Sequence, residues 1–179
     1  YPIILKIFTN MKYTDFFKGI MPAQMLAFST SSSAATLPVT MERCEDHLGV
    51  SEEISSFVLP LGATINMDGT SLYQAVAAVF IAQAYGMDLD MGQQLTIVLT
   101  ATLASIGAAA VPGAGMVMLV IVLGAIGVPT EGLALIFGVD RILDMMRTVV
   151  NVTGDATVAT VVAATEGQLR VVSEEELMS

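Results

Sequence analysis

Polar and charged side chains of the kinds that bind amino acids and cations occur in two short runs of an otherwise apolar sequence. The first run is NMDGT, Asn66 to Thr70, and the second is RTVVNVTGD, Arg147 to Asp155, with Asp140 and Asp144 just before it. Burying a polar group in hydrocarbon costs several kcal/mol. Ionisable residues at membrane depth therefore indicate a substrate or ion site.

The second run forms a single helical stripe. Its polar residues are offset by 0, 4, 7, 8, 11 and 15 positions. At about 100° per residue, all of them fall within a sector of about 100°. On a soluble helix this stripe would face water, but the residues between its members are apolar, so we expect it to face a protein interior. The stripe consists of Asp140, Asp144, Arg147, Thr148, Asn151 and Asp155.

Arg147 and Asp144 lie one turn apart on this stripe and carry opposite charges. The planar guanidinium of Arg147 can hold a carboxylate through two parallel hydrogen bonds, and Asp144 can hold an ammonium group. Thr148 and Asn151 offer hydrogen bonds to a second carboxylate. These groups match a zwitterion that carries an extra carboxylate.

The same region holds more oxygen ligands than such a substrate needs. Asp68, Asp155, Asn66 and Thr64, with carbonyls freed where a helix unwinds near Gly62 and Asn66, suit a small hard cation. A carboxylate in apolar surroundings is costly unless it is paired, so Na⁺ or a proton is its natural partner. Spacing alone leaves Na⁺ and H⁺ open.

The composition indicates a membrane protein. Of the 179 residues 54% are hydrophobic and 13% are charged, whereas soluble domains have about 25% charged residues. The net charge of -10 gives no reason to expect nucleic-acid binding. Cys44 is the single cysteine and excludes an internal disulfide, and no nucleophile motif indicates an enzyme. His47 lies in a polar connection, where we expect it to be solvated.

The apolar segments predict helical pairs that alternate with longer spans. Gln94 to Ile106 and Gly115 to Gly127 are 13 residues each. A helix of that length reaches about 20 Å, short of a hydrocarbon core of about 30 Å. Each pair should therefore enter and leave on one side as a hairpin. The serine run 31–33 and the segment Ala110 to Gly115 form the tips, where helix N-termini present free N–H groups to an anion.

Two longer segments, Ile54 to Tyr85 and Leu133 to Thr165, follow the hairpins, and each carries one polar run. The chain therefore contains two copies of the same unit, a hairpin followed by an interrupted span. The second copy begins on the opposite side of the membrane, so the two form an inverted repeat, which in transporters places the binding site near the midplane. The predicted fold is an all-α polytopic membrane protein. The chain opens inside a hydrophobic run without a starting Met, so we expect a C-terminal fragment of a larger protein, with its first polar stretch, near Lys6, Lys12 and Lys18, in the cytoplasm.

Four strings in this order resemble the sodium-coupled glutamate/aspartate transporter family, the dicarboxylate/amino acid:cation symporters: SSSAATLP, PLGATINMDGT, QQLTIVLTATLASIGAAAVPGAG and ILDMMRTVVNVTGD. The resemblance covers roughly residues 1 to 168. It implies a multi-pass protein of the plasma or inner membrane, embedded in the lipid bilayer. It also implies a homotrimer, assembled through a scaffold domain mostly absent from this chain, whose transport domain moves like an elevator.

The resemblance also divides the chain into segments. These are the end of a preceding transmembrane helix with a cytoplasmic loop (1–15), re-entrant hairpin 1 (16–49), the interrupted seventh transmembrane helix (50–87), re-entrant hairpin 2 as the gate (88–130), the eighth transmembrane helix (131–167) and an acidic C-terminal tail (168–179).

The resemblance assigns the site residues motif by motif. The substrate contacts it implies are Ser31, Ser33, Met67, Thr70, Val111, Gly115, Asp144, Arg147, Thr148 and Asn151. It implies one Na⁺ site at Gly62, Asn66, Asn151 and Asp155, a second at Thr64, Ser105, Ile106 and Ala108, and a third at Asn66 and Asp68 with residues of an earlier helix. Asp140 and Arg141 are expected to contact the substrate-binding residues rather than the substrate itself. No organic cofactor is expected.

Departures from the family pattern sharpen the expectation. Ser31 stands where some prokaryotic aspartate carriers have arginine, and Arg141 matches the arrangement of the animal glutamate carriers. Gln74 replaces a glutamate that is associated with proton and potassium coupling, so we expect Na⁺ coupling without potassium counter-transport. Asp144 and Arg147 favour an acidic amino acid, aspartate or glutamate. A C4-dicarboxylate or neutral amino acid:cation symporter, or an uncoupled channel-like binding module, are the alternatives.

Overall fold

The computed structural model describes residues 1–172, and within them the chain is all-helical, with one isolated bridge between Val50 and Leu169. Residues 173–179, which hold the acidic run of the predicted C-terminal tail (168–179), lie outside the described residues. The α-helices are α1 (Pro2–Phe8), α2 (Tyr13–Thr30), α3 (Ser33–Glu42), α4 (Glu52–Ile65), α5 (Asp68–Ala84), α6 (Met91–Ile106), α7 (Ala114–Ala125) and α8 (Phe137–Thr165). A π-helical turn follows α3 (Arg43–His47), and a 3₁₀ helix precedes α8 (Thr130–Leu135).

The first helix pair, α2 and α3, turns at the serine run. Ser31 has a left-handed backbone with φ 53°, which ends α2. Ser32 then caps α3 by accepting a hydrogen bond from the N–H of Ala35 at 3.1 Å. The pair packs on α8 and α4 around a core that includes Phe16, Ile20, Leu48, Leu59, Ala156 and Ala159.

His47 is buried within this first unit, in the π-helical turn, with 6% of its surface exposed. The expectation of a solvated histidine is therefore wrong. Its neighbours in sequence are polar, but the turn packs against α2, α3, α4 and α8, and this tertiary packing removes the side chain from solvent.

The helix break predicted at NMDGT is confirmed. α4 ends at Ile65, and α5 begins at Asp68, with non-helical backbone at Asn66 (ψ 84°) and Met67 (ψ 50°) between them. The unwinding does not reach Gly62, whose carbonyl accepts the N–H of Asn66 at 2.7 Å. α5 lies so close to α8 that a Cβ on Gly69 would be 2.0 Å from the carbonyl oxygen of Arg147.

The second helix pair, α6 and α7, packs chiefly against α5. Asp90 and Gln93 form a capping box at the start of α6. Gly113, with φ 78°, precedes α7 in a left-handed conformation that an L side chain would strain. The shared core includes Tyr73, Ala77, Ile81, Ile97, Leu119 and Leu123.

α8 runs without a break for 29 residues, so the expectation that the second span is interrupted is wrong. The threonines of α8 do not break the helix. The hydroxyls of Thr148, Thr153, Thr157 and Thr160 donate to the carbonyls one turn earlier at 2.7–2.9 Å, which an intact helix allows. Among the helices of residues 1–172, none is both long enough and apolar enough to cross a membrane.

Candidate functional site

The tips of the two helix pairs meet. The carbonyl oxygen of Ala110, in the α6–α7 tip, accepts a hydrogen bond from Ser32 Oγ at 2.7 Å and another from the N–H of Ala34 at 3.4 Å. The two tips are 78 residues apart in sequence, so this contact depends on the tertiary fold. Both tips face the polar stripe of α8.

Arg147 lies at the junction of α5, α8 and the two tips, and only 3% of its surface is exposed. Its Nη2 donates to the carbonyls of Ser31 at 3.5 Å and Val111 at 3.1 Å, one in each tip. Its Nη1 donates to Thr70 Oγ1 at 3.3 Å. One guanidinium therefore links both tips to the start of α5.

Asp144 forms an ion pair with Arg147, with 2.6 Å between Asp144 Oδ1 and Arg147 Nε. Its second oxygen accepts the N–H of Gly113 at 3.0 Å, which ties α8 to the second tip. Thr148 donates its hydroxyl to the backbone carbonyl of Asp144 at 2.9 Å. Burying a charged group is costly unless it is paired and hydrogen-bonded, and Asp144 has both kinds of partner here.

Asn151 joins α8 to the break between α4 and α5. Its Oδ1 accepts the N–H groups of Gly69 at 2.7 Å and Thr70 at 3.3 Å, two free donors at the start of α5. Its Nδ2 lies 3.2 Å from both Thr70 Oγ1 and Met67 Sδ. The structure thus brings together four predicted substrate contacts, Met67, Thr70, Arg147 and Asn151.

Four further predicted substrate contacts lie on the tips. Ser31 and Ser33 are buried, and their hydroxyl oxygens have no hydrogen-bond partner within residues 1–172. Gly115 is buried under the ring of Tyr73, and a Cβ there would lie 3.1 Å from Tyr73 Cδ1 and 3.4 Å from Arg147 Cδ. Val111 is half exposed.

Asp155 and Asn66 form the centre of the first predicted cation set. Asn66 Nδ2 donates to Asp155 Oδ1 at 2.9 Å. Gly62 packs against this carboxylate, since a Cβ at that position would lie 2.6 Å from Asp155 Oδ1. Asp155 is buried, Asn66 is partly buried, and Asn151 lies one helical turn from Asp155 on α8.

Asp68, of the third predicted cation set, has a partner that sequence reasoning missed. The hydroxyl of Tyr1 donates to Asp68 Oδ2 at 2.9 Å and to the carbonyl of Val150 at 3.3 Å. A Cβ on Gly154 would lie 2.8 Å from Asn66 Nδ2 and 3.2 Å from Asp68 Oδ2, so that glycine leaves room for both side chains. Tyr1 precedes α1, which makes α1 part of this region.

The second predicted cation set is not brought together in the same way. Thr64 is exposed and donates to the carbonyl of Pro60 at 3.0 Å, while Ser105 donates to the carbonyl of Thr102 at 2.8 Å. In the described part of the chain, no hydrogen bond joins Thr64 to Ser105, Ile106 or Ala108. Ser105 and Ile106 instead line a cavity of about 500 Å³ together with Met67 and Asp68.

Asp140 and Arg141, expected to support the site, have separate partners. Asp140 Oδ1 accepts the hydroxyl of Tyr73 at 2.7 Å, and the exposed Arg141 donates to the carbonyl of Ser29 at 3.3 Å. Tyr73 was not predicted, because a tyrosine on a buried helix face is typical of a core residue.

The chain matches the sodium:dicarboxylate symporter family over residues 1–165. Excitatory amino acid transporter 2 of Mus musculus is 55% identical over 155 residues, which are 87% of this chain and 27% of the relative. An excitatory amino acid transporter of Caenorhabditis elegans is 52% identical over 161 residues, 90% of this chain and 32% of the relative. Excitatory amino acid transporter 5 of Homo sapiens is 50% identical over 162 residues, 90% of this chain and 29% of the relative.

The chain thus spans about a third or less of the length of these relatives. The family and the relatives are transporters rather than enzymes. The match covers the four motifs and both helix tips, and on this basis the chain belongs to the sodium:dicarboxylate symporter family.

Proposed function

We propose that this chain is the substrate-binding part of a secondary active symporter, which moves an acidic amino acid, aspartate or glutamate, into the cell with Na⁺. One observation carries the proposal: a buried Arg147–Asp144 pair lies where both helix tips meet. The names of relatives that are 50–55% identical, excitatory amino acid transporters, support the substrate class.

In this proposal, Arg147 and Asp144 exchange their mutual contact for contacts with the substrate. The guanidinium holds the side-chain carboxylate, and Asp144 holds the ammonium group. The second carboxylate accepts hydrogen bonds from the unpartnered hydroxyls of Ser31 and Ser33 and from the side chains of Thr148 and Asn151. An acidic amino acid satisfies all these groups at once, whereas a neutral one leaves Arg147 buried without a carboxylate.

Cation coupling is assigned to the oxygens around the break before α5. Na⁺ would bind among Asp155, Asn66 and Gly62, and a further Na⁺ at Asp68, which are hard ligands for a hard cation. Asn151 holds the start of α5 and lies next to both groups, so it would connect substrate binding to Na⁺ binding. Thr64, Ser105, Ile106 and Ala108 would assemble into the other Na⁺ site when the second helix pair moves.

The architecture proposed for the whole protein is a multi-pass one in the plasma or inner membrane. Residues 16–49 and 88–130 would be re-entrant hairpins, and 50–87 and 131–167 would be the spans of an inverted repeat that moves like an elevator. The second pair, α6 and α7, would be the gate. The scaffold that forms the homotrimer would lie mostly in segments that this chain does not contain. Gln74, which cannot take up a proton, supports Na⁺ coupling without potassium counter-transport.

Uptake of labelled aspartate by the full-length protein in liposomes tests this proposal. We expect accumulation that requires an inward Na⁺ gradient and is indifferent to internal K⁺. Unlabelled aspartate and glutamate should compete, and succinate and serine should not. Competition by succinate would favour a C4-dicarboxylate carrier, and competition by serine a neutral carrier. Uptake that merely equilibrates, whatever the Na⁺ gradient, would identify an uncoupled binding module.

A further inference from the structure

Ser32 holds the two tips together through a hydroxyl that the proposed substrate and cation sites do not use. The hydroxyl donates to the carbonyl of Ala110 at 2.7 Å, a normal distance for a strong O–H···O hydrogen bond. Ser32 is buried, with 7% of its surface exposed, so water competes little for this contact. The middle serine of the run therefore differs from Ser31 and Ser33, whose hydroxyls are unpartnered within residues 1–172.

The position of this hydroxyl is set by the helix that follows it. Ser32 Oγ also accepts the N–H of Ala35 at 3.1 Å and so caps α3. A hydroxyl has one hydrogen to donate and can accept at the same time. The cap fixes the oxygen, and its hydrogen points across to the second tip.

A longer hydrogen bond, from the N–H of Ala34 at 3.4 Å, reaches the same Ala110 carbonyl. The links that pass through side chains of α8 use groups that the proposed function gives to the substrate. Arg147 Nη2 contacts the carbonyls of Ser31 and Val111, and Asp144 Oδ2 accepts the N–H of Gly113. When a substrate carboxylate and ammonium occupy Arg147 and Asp144, these links weaken. The contact from Ser32 to Ala110 involves neither charged residue, so it is available with and without substrate.

We propose that Ser32 is a positioning residue that sets how firmly the second tip closes over the site, through the hydrogen bond from its hydroxyl to the carbonyl of Ala110. The inference rests on the proposed function, in which α6 and α7 form the gate. Loss of one buried hydrogen bond should raise KM for aspartate by about threefold to tenfold and leave kcat within about twofold.

Spin labels on the full-length protein measure closure without transport. One label replaces the exposed Met21 on α2, about 14 Å of helix from the first tip, and the other replaces the exposed Ala109 in the second tip, in a background without native cysteines. Distances are recorded by pulsed EPR in Na⁺ without substrate and again with saturating aspartate.

We expect Ser32→Ala to shift the population toward longer distances in Na⁺ alone, and Ser32→Thr, which keeps the hydroxyl, to restore the original distribution. Ser51→Ala is the matched control, since Ser51 caps α4 in the same manner, with Ile54 N–H at 3.3 Å, but lies far from the tips in sequence. It should leave the distances unchanged.

An unchanged distribution in Ser32→Ala, an equal shift in Ser51→Ala, or failure of Ser32→Thr to restore closure would each overturn the inference. The two proposals fail separately. Wild-type protein that shows no Na⁺-driven uptake refutes the transport proposal, while the distance measurement still decides whether Ser32 closes the tips.

Discussion

The two helix pairs have similar lengths and meet at one point, yet they are held by the rest of the molecule in different ways. α2 and α3 pack on α8, α4 and the π-helical turn, and the three serines of their tip are buried. α6 and α7 pack chiefly on α5, and many apolar side chains on their outer surface are exposed, including Leu95, Leu99, Leu103, Val117 and Ile121.

The second tip is also stabilised less by its own residues than the first tip is. The first tip has a side-chain cap from Ser32, whereas α7 starts at Gly113 without one. The second tip depends on groups outside itself, namely Ser32, Arg147 and Asp144. Segments with few buried contacts and external anchors open at lower free energy. This difference supports the proposal that the second pair is the gate, with the first pair as the fixed wall of the site.

The largest expected effect on transport comes from Arg147, whose guanidinium contacts both tips. Arg147→Thr removes the donor to Ser31 and Val111 and leaves Asp144 as an unpaired buried carboxylate. We expect kcat/KM for aspartate uptake to fall by about a hundredfold or more. Uptake assays in liposomes measure this, with size-exclusion chromatography to establish that the variant is folded.

Two further variants test whether the loss of uptake is specific to the guanidinium of Arg147. Arg147→Lys keeps the charge but loses the planar fork, so it should remain strongly impaired. Lys18→Thr removes a cation from an exposed position of α2 and should transport normally. Full aspartate uptake by Arg147→Thr would show that the two tips do not depend on a common anchor.

Hydrogen exchange compares the two tips directly. Amides of residues 107–114 should exchange about 10 to 100 times faster than those of residues 30–36, because the second tip is opened by smaller local fluctuations. Saturating aspartate and Na⁺ should slow the second tip more than the first. Mass spectrometry of the full-length protein in detergent measures both. Equal exchange rates at the two tips would remove the distinction between wall and gate.

A pair of glycine variants isolates the contact between the second tip and α8. Gly113 and Gly127 have similar backbones, with φ 78° and 72°, and a Cβ added at either position would meet nothing within 4 Å. Alanine at either position should cost roughly 1–2 kcal/mol of stability through left-handed strain. Both variants keep their backbone N–H, but only the N–H of residue 113 donates to Asp144. Relaxation of the strained backbone should therefore displace this contact in Gly113→Ala alone and raise its KM for aspartate by up to about tenfold. Equal KM values in the two variants would mean that this contact does not affect binding.

Much of the site was predictable because helical periodicity is a local property. The spacing of Asp144, Arg147 and Asn151 predicted one buried face, and the polar run in an apolar segment predicted the break at Asn66. Back-bonding by the threonines of α8 obeys no such pattern. Thr148 and Thr153 satisfy their hydroxyls on the same helix, and Arg147 and Asn151 find partners on other elements. The polar run is thus hydrogen-bonded without a break in α8.

Contacts between distant residues were not predictable from one sequence. The three serines of the first tip are chemically identical, and nothing in their sequence indicates that Ser31 adopts the left-handed backbone or that Ser32 donates to Ala110. Tyr1 and Tyr73 each reach a carboxylate 67 residues away, on Asp68 and Asp140. No spacing rule connects such positions, so both tyrosines were missed.

The smallest expected effect separates two glycines on different faces of α7. Alanine is favoured over glycine inside a helix by about 1 kcal/mol, so Gly124→Ala, with nothing within 4 Å, should raise the melting temperature and leave KM unchanged. Gly115→Ala must displace the Tyr73 ring, 3.1 Å from the new Cβ, by a few tenths of an ångström. We expect it to lose most of that stabilisation and to raise KM for aspartate by about threefold. Thermal unfolding and uptake kinetics on both variants measure the difference. If Gly115→Ala matched Gly124→Ala in both, α7 would not need to pack closely on Tyr73 for the tip to close.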